Sequence, residues 1–227
     1  MITTAAADGV RVVTLDRPAR RNALTRAGLD DLAAAVDDAD EPVVYLRGAG
    51  DAFCAGADLD IVADLDGETA PDFARLGQRV ARTIETADSV VVAGIDGAAR
   101  GGGVELALAC DLRIATDRAT FAESGVTLGL FGAWGGTARL PRVVGEADAM
   151  DLALSGRVVD ADEALRMGLV SRVVDDPRRV ATELADNDHD TLRVLKTRLR
   201  DDAPVSEQKE REAAAFGRLV EGADIDR

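Results

Sequence analysis

The period of the hydrophobic positions changes several times along the chain, and each change marks an element. Residues 2–6 and Val10–Leu15 flank the turn pair Asp8-Gly9 and predict a β-hairpin. A helix follows from a Thr25 N-cap, with Leu29, Leu32 and Val36 on one face. Val43–Arg47 reads as a short apolar strand ending at Gly48. After an alanine- and glycine-rich loop, Pro71 opens a longer helix in which Phe73, Leu76, Val80, Ile84 and Ala87 recur at steps of three and four, so one face is buried. Val90–Ile95 is a continuous apolar run, the pattern of a strand covered on both faces. Gly97 through Gly103 interrupt it, a helix runs from Val104 to Cys110, and Leu112–Ala115 continues as a strand.

Strands and helices in alternation argue for right-handed βαβ crossovers and an α/β core. From Gly135 the character turns helical: Ala138–Val144, Glu146–Leu154, and a third helix opened by the capping box Asp160–Glu163 and stopped at Gly168. The last quarter is charged and amphipathic, with breaks at Asp186–Asp190 and Asp201–Pro204. No repeat or low-complexity linker divides it. The expected organisation is a core over residues 1–175, helical from about 135, and a helical C-terminal extension over 176–227.

Composition narrows the class. The chain of 227 residues is 47% hydrophobic and 30% charged, which fits a globular fold and not disorder. No window approaches the roughly 18 apolar residues of a spanning helix, and MITTAAADG lacks the regions of a signal peptide, so a soluble cytoplasmic protein without membrane contact is expected. The net charge of -15 opposes nucleic-acid binding. Asp exceeds Glu, and lysine occurs only at Lys196 and Lys209. Such a surface repels itself unless salt screens it, which points to a cytoplasm of high ionic strength and a halophilic source. Cys54 and Cys110 are too few for a disulfide framework and lack zinc spacing, so both read as small buried thiols.

Exclusions narrow the chemistry further. The single histidine, His189, lies in the acidic segment Asp186–Asp190 and reads as a solvated loop residue. No Ser/His/Asp triad and no multi-histidine metal site can be built. No Walker A segment is present, and the glycines at 101–103 lack dinucleotide-fold spacing. Ser124, without a GxSxG elbow, is a turn serine.

Two segments remain, and both offer backbone donors. Phe53-Cys54-Ala55-Gly56-Ala57-Asp58-Leu59 is a small-residue loop that lets a ligand approach the main chain. Gly101-Gly102-Gly103-Val104-Glu105 opens a helix, so amides near Gly102 have no intrahelical acceptor and lie at the positive end of its dipole. One donor from each, converging on a carbonyl oxygen, would form an oxyanion hole able to stabilise the enolate of a thioester. The alternative is that the glycines only permit close helix–sheet packing. Glu105, a carboxylate in the first turn of an apolar helix, is either a surface cap or a general base held ionised by the helix N-terminus against the effect of burial.

These residues resemble the enoyl-CoA hydratase/isomerase, or crotonase, superfamily. The likeness spans most of residues 10–175: LDRP and RNAL at Leu15–Pro18 and Arg21–Leu24, FCAGADL at Phe53–Leu59, GGGVELALACD at Gly101–Asp111, then Gly135-Gly136-Thr137, Arg139-Leu140, Ala164 and Gly168-Leu169-Val170. The resemblance implies a spiral of ββα turns, C-terminal helices supporting a homotrimer or hexamer, and an acyl-CoA thioester as ligand, with coenzyme A part of the substrate and no separate cofactor or metal. It implies that the Ala57 and Gly102 amides are the oxyanion hole and that Glu105 is catalytic. Ala55, Gly56, Ala57 and Asp58 would line the thioester and pantetheine, with Ala23 beside the ligand and Arg20 and Arg21 near its phosphates; both arginines equally read as solvated loop residues.

Three departures bear on the reaction. Relatives carry a second glutamate in a segment that here reads Phe121-Ala122-Glu123-Ser124-Gly125, and Gly125 occupies its position. Glu123 lies two residues away, and its side chain is expected to point elsewhere unless the backbone shifts. The chain after Pro177 looks shorter than in relatives, with the final helix beyond Glu221-Gly222 missing. Phe131 and Trp134 stand where relatives have proline and small residues, and they either reshape the acyl pocket or pack in the core. The expected activity is hydration of a 2-enoyl-CoA with Glu105 as single acid/base. Isomerisation, decarboxylation or thioester hydrolysis on the same scaffold, and non-catalytic acyl-CoA binding, stand as alternatives.

Overall fold

The computed structural model describes residues 1–222; the expectation about the segment after Gly222 lies outside them. The hairpin forms as predicted. Strands β1 (Ile2–Ala7) and β2 (Val10–Leu15) pair antiparallel across Asp8 and Gly9, which sit at φ of 56° and 71°, as such a two-residue turn requires. A short 3-10 turn, Pro18–Arg20, leads to α1 (Arg26–Asp37), capped by Thr25 Oγ1 accepting from the Gly28 amide.

Three passes of strand, short strand and helix follow. The first runs through β3 (Val43–Gly48) and β4 (Ala52–Cys54) to α2 (Leu59–Ala63) and α3 (Ala70–Thr86). The second is β5 (Val90–Ile95), β6 (Ala98–Arg100) and α4 (Gly102–Ala109). The third is β7 (Leu112–Ala115), β8 (Thr120–Ala122), a 3-10 turn over Ser124–Leu128, and α5 (Gly136–Ser155). The remainder is β9 (Val159–Asp160), α6 (Ala161–Arg166), β10 (Arg172–Val173), α7 (Pro177–Ala185), α8 (His189–Leu199) and α9 (Val205–Gly222).

The longer strands, with the two-residue β10 at one edge, form one sheet in the order β1-β2-β3-β5-β7-β10, parallel except for the hairpin. The short ones form a second, β4-β6-β8-β9. Each pass therefore steps from the large sheet to the small one; the first two return through a helix, and the third returns through α5, β9 and α6 to β10, which is the expected ββα spiral. The second sheet is the feature that periodicity alone does not show, because three-residue strands are too short to display alternation. Phe53 and Cys54 end β4, so the small-residue loop begins one strand later than its sequence suggests.

The main core lies between the large sheet and helices α1, α3 and α4, and includes Leu29, Leu46, Phe53, Ile84, Val91 and Leu106. On the sheet's other face Val180 and Ala181 of α7 cover Val43, Tyr45, Val92 and Ile114. Burial on both faces accounts for the unbroken apolar run of β5. The two helices predicted on either side of Glu146 form one span broken at Gly145 (φ 81°, ψ 162°). His189 is exposed but is not a loop residue: Asp188 Oδ1 accepts from the Thr191 amide and starts α8 at His189. Cys54 and Cys110 are both buried, with thiols pushed up to about 12 by desolvation. Among the described residues no helix is long and apolar enough to cross a membrane.

Asn22 ties the first loop to the start of the site. It is fully buried at φ 58°, and its Oδ1 accepts from the Arg17 amide at 2.9 Å. Its Nδ2 donates to the carbonyls of Ala49 and Ala52, at 2.9 and 2.8 Å. The substitution Asn22→Ala leaves these buried groups unpaired and is expected to cost about 1–3 kcal/mol, read as a lower urea midpoint with unchanged slope.

Candidate active site

Two turns meet at the C-terminal ends of β4 and β6. Gly56 follows β4 at φ 84°, and a Cβ there would lie 2.8 Å from both the Arg100 oxygen and the Gly102 nitrogen. A Cβ on Gly103 would fall 2.2 Å from the Cys54 oxygen. The backbones touch only because neither position has a side chain. On one side of the contact Leu24 donates to Gly56 O at 2.8 Å and Asp58 to Leu24 O at 3.0 Å. The intervening Ala57 amide faces the other way and donates to no group among the described residues. The Gly102 amide, first in α4, likewise has no acceptor there.

Glu105 lies in the first turn of α4 and is 1% exposed. Its Oε1 accepts from the amides of Trp134 at 2.8 Å and Gly136 at 2.6 Å. Glycines make room for it: a Cβ on Gly132 would lie 2.7 Å from Glu105 Cδ, and one on Gly136 2.8 Å from its Cγ. Burial raises its pKa, while the two amides and the charge of Arg139 favour the ionised form and recover part of the shift. Arg139 donates to Trp134 O at 3.3 Å and pairs with Glu85 at 2.8 Å, holding the turn that supplies the amides.

Ala55, Ala57, Gly102, Glu105, Phe131 and Trp134 come together around a cleft of about 220 Å³ with an apolar wall that includes Leu59, Val62 and Phe73. Trp134 is both wall and core: it is 3% exposed, its ring meets Phe73 edge-on at 6.0 Å, and a Cβ on Gly102 would collide with it at 2.4 Å. Phe131 stands at the rim, 72% exposed. Gly125 borders the cleft without a carboxylate, and Glu123 lines a neighbouring cavity that shares Leu130, Phe131 and Gly132 with the cleft.

Four expected contacts are placed differently. Gly56 packs against the second turn and does not line the cleft. Asp58 is buried beneath it, caps α2 through the Asp60 amide, and pairs with Arg17 and Arg20; the Arg17 hydrogen bond above all holds its carboxyl below the usual range. Ala23 is buried, with its carbonyl accepting from Arg17 at 3.1 Å. Arg20 is committed to Asp58 and Asp60. Arg21 is different. It is exposed at φ 50° beside a shallow depression that borders Ala55 and also includes Arg100. Neither Arg21 nor Arg100 has a carboxylate partner among the described residues. Arg100 is the residue sequence reasoning misses; its signal is a cation directly before the glycine run.

The family model described as enoyl-CoA hydratase/isomerase matches residues 5–224. The chain belongs to this family. It is 40% identical over 152 residues to a crotonyl-CoA hydratase of Syntrophomonas wolfei, covering 65% of this chain and 58% of that protein. It is 37% identical over 153 residues to a short-chain-enoyl-CoA hydratase of Clostridium acetobutylicum, at 65% and 59% coverage. The matched region thus spans less than two thirds of these relatives' length. A solved enoyl-CoA hydratase from Bacillus anthracis superposes with a TM-score of 0.91 at 31% identity, over 97% of this chain and 91% of that one. One from Thermoplasma volcanium gives 0.91 at 30%, over 96% and 92%. The family assignment agrees with the α/β spiral and its helical C-terminal region.

The glycines around Glu105 are testable. Gly132→Ala drives a methyl into the carboxyl and is expected to lower any acyl-CoA turnover that the chain shows by roughly 10²-fold, the scale of an ångström-sized misplacement. An unchanged circular dichroism spectrum separates this from unfolding.

Proposed function

We propose that the protein binds a 2-enoyl-CoA and adds water across its conjugated double bond. The observation that carries this reading is the pair of unpartnered amides, Ala57 and Gly102, beside buried Glu105. The thioester oxygen accepts from both. As water oxygen bonds to Cβ, the π electrons move toward that oxygen, and the two amides with the positive end of α4 stabilise the developing enolate. Glu105 takes the proton of the attacking water, and a proton is delivered to Cα.

Arg21 and Arg100, without salt-bridge partners among the described residues, line a separate depression that shares Ala55 with the cleft and suit the phosphates of coenzyme A. The apolar cleft suits a short acyl chain, in keeping with the names of the two hydratases it resembles. This reading needs no cofactor beyond the coenzyme A of the substrate. We also read the chain as a homotrimer or dimer of trimers joined through the C-terminal helices, where Leu199 and Phe216 are 84% and 69% exposed. The net charge of -15 supports work in a salt-rich cytoplasm.

Hydration of crotonyl-CoA, followed as loss of the conjugated thioester's ultraviolet absorbance in molar KCl, tests the reading. Turnover is expected, with Glu105→Ala lowering it about 10²–10⁴-fold. Absence of turnover with the CoA ester still bound by calorimetry would instead select isomerisation, decarboxylation, thioester hydrolysis or a binding role.

A further inference from the structure

The chemistry above leaves one buried carboxyl unused. Glu123 stands between β8 and the 3-10 turn, and its Oε1 is buried with no hydrogen-bond partner among the described residues. Such an orphaned polar atom is destabilising and calls for a reason. Its side chain lines a second cavity of about 230 Å³ beneath α5, walled by Leu140, Ala149 and Met150. Leu130, Phe131 and Gly132 border both this cavity and the active-site cleft.

The wall between the two carboxyls is made of glycine. Gly132 and Gly136 line the Glu123 cavity, and both are the positions at which a Cβ would strike the Glu105 side chain. No side chain from either residue stands between them. The ionisable groups facing Glu123 are Glu105 from α4 and Glu146 from α5; β8 and the 3-10 turn contribute none, and no cation lines the cavity. The two acids therefore differ in environment. Glu105 has two amide donors and Arg139 to support its charge. Glu123 has none, and burial followed by the charge of Glu105 pushes it up to about 8. Two neighbouring carboxyls held apart in this way divide into an acid and a base.

We propose that Glu123 is the second catalytic carboxyl of this site, the acid that delivers the proton to Cα of the enoyl thioester. The inference rests on the hydratase reading. In the step, a water O–H bond breaks toward Glu105, the water oxygen bonds to Cβ, and the π pair passes into the enolate. The enolate pair then takes the Glu123 proton at Cα, leaving Glu105 protonated and Glu123 ionised. Transfer of one proton from Glu105 to Glu123 restores both. The net change is addition of one water. The acyl chain reaches Glu123 where cleft and cavity share the 130–132 segment.

The test is steady-state hydration of crotonyl-CoA by the full chain, its Glu123→Gln and its Glu123→Asp variants across pH 5.5 to 9.5, with circular dichroism confirming each fold. An acid must be protonated to act, so wild-type kcat is expected to fall as pH rises past about 8. Glu123→Gln is expected to lose about 10²–10⁴-fold in kcat with KM within about threefold, and to lose that alkaline limb. Glu123→Asp is expected to recover part of the rate and the limb. Wild-type rate and limb in Glu123→Gln overturn the proposal while leaving the hydratase reading in place. Equally slow variants that both keep the wild-type pH profile make the loss structural and overturn it as well. A wild-type chain that does not hydrate crotonyl-CoA removes the hydratase reading and this proposal together.

Discussion

The contact between the turn after β4 and the turn that opens α4 is made of backbone alone, and the site depends on that closeness. A single methyl at Gly56 or Gly103 would meet carbonyl or amide atoms at 2.2–2.8 Å. With no side chains between them, the two segments bring the Ala57 and Gly102 amides to the same cleft, while the amides of Ala55, Asp58 and Gly101 donate to backbone carbonyls of the fold. The small sheet exists at this point to hold the two turns in register, since β4 and β6 pair in parallel just before them. Fold and chemistry therefore share one constraint. The glycines are a packing requirement, and that same packing leaves the two amides without acceptors among the described residues.

Electrostatics extend the constraint outward. Glu105 is buried where desolvation opposes its charge, and two amides on one turn offset part of that cost. The turn is held by Arg139, which pairs with Glu85; Glu85 pairs with Arg200 at 3.0 Å, Arg200 with Asp111 at 2.8 Å, and Asp111 with Lys196 at 3.0 Å. Lys196 also donates to Ser89 O at 2.8 Å and is nearly buried. A chain of alternating charges thus runs from the site to α8, where it fixes the base of the C-terminal helices. One of only two lysines in the chain is spent on this network.

How far the structure is legible in the sequence depends on the range of the forces involved. The hairpin, α1, α3 and β5 follow from local turn chemistry and periodicity, because each residue's environment there is set by neighbours a few positions away. The strands of the small sheet carry two or three residues each, too few for a pattern, and the first two appear in the sequence as loop and glycine run. Ala57 and Gly102 are singled out in the sequence through the likeness of their motifs to the family's, and Glu105 through its place in the first turn of an apolar helix; the fold brings the three to one cleft. Asp58 is not, because its carboxyl answers to Arg17, 41 residues away, and not to the loop it sits in. Asn22 is equally opaque: one letter in a loop motif, it joins three stretches of backbone. Glu123 shows the limit from the other side, for the sequence places it beside the vacancy at Gly125 but cannot say that its oxygen is buried without a partner.

The most direct measurement of the central claim is a crystal structure of Glu105→Gln with crotonyl-CoA bound. The thioester oxygen is expected at about 2.7–3.1 Å from both the Ala57 and Gly102 nitrogens, with the adenosine phosphates beside Arg21 and Arg100. A thioester oxygen bonded to neither amide would contradict that claim.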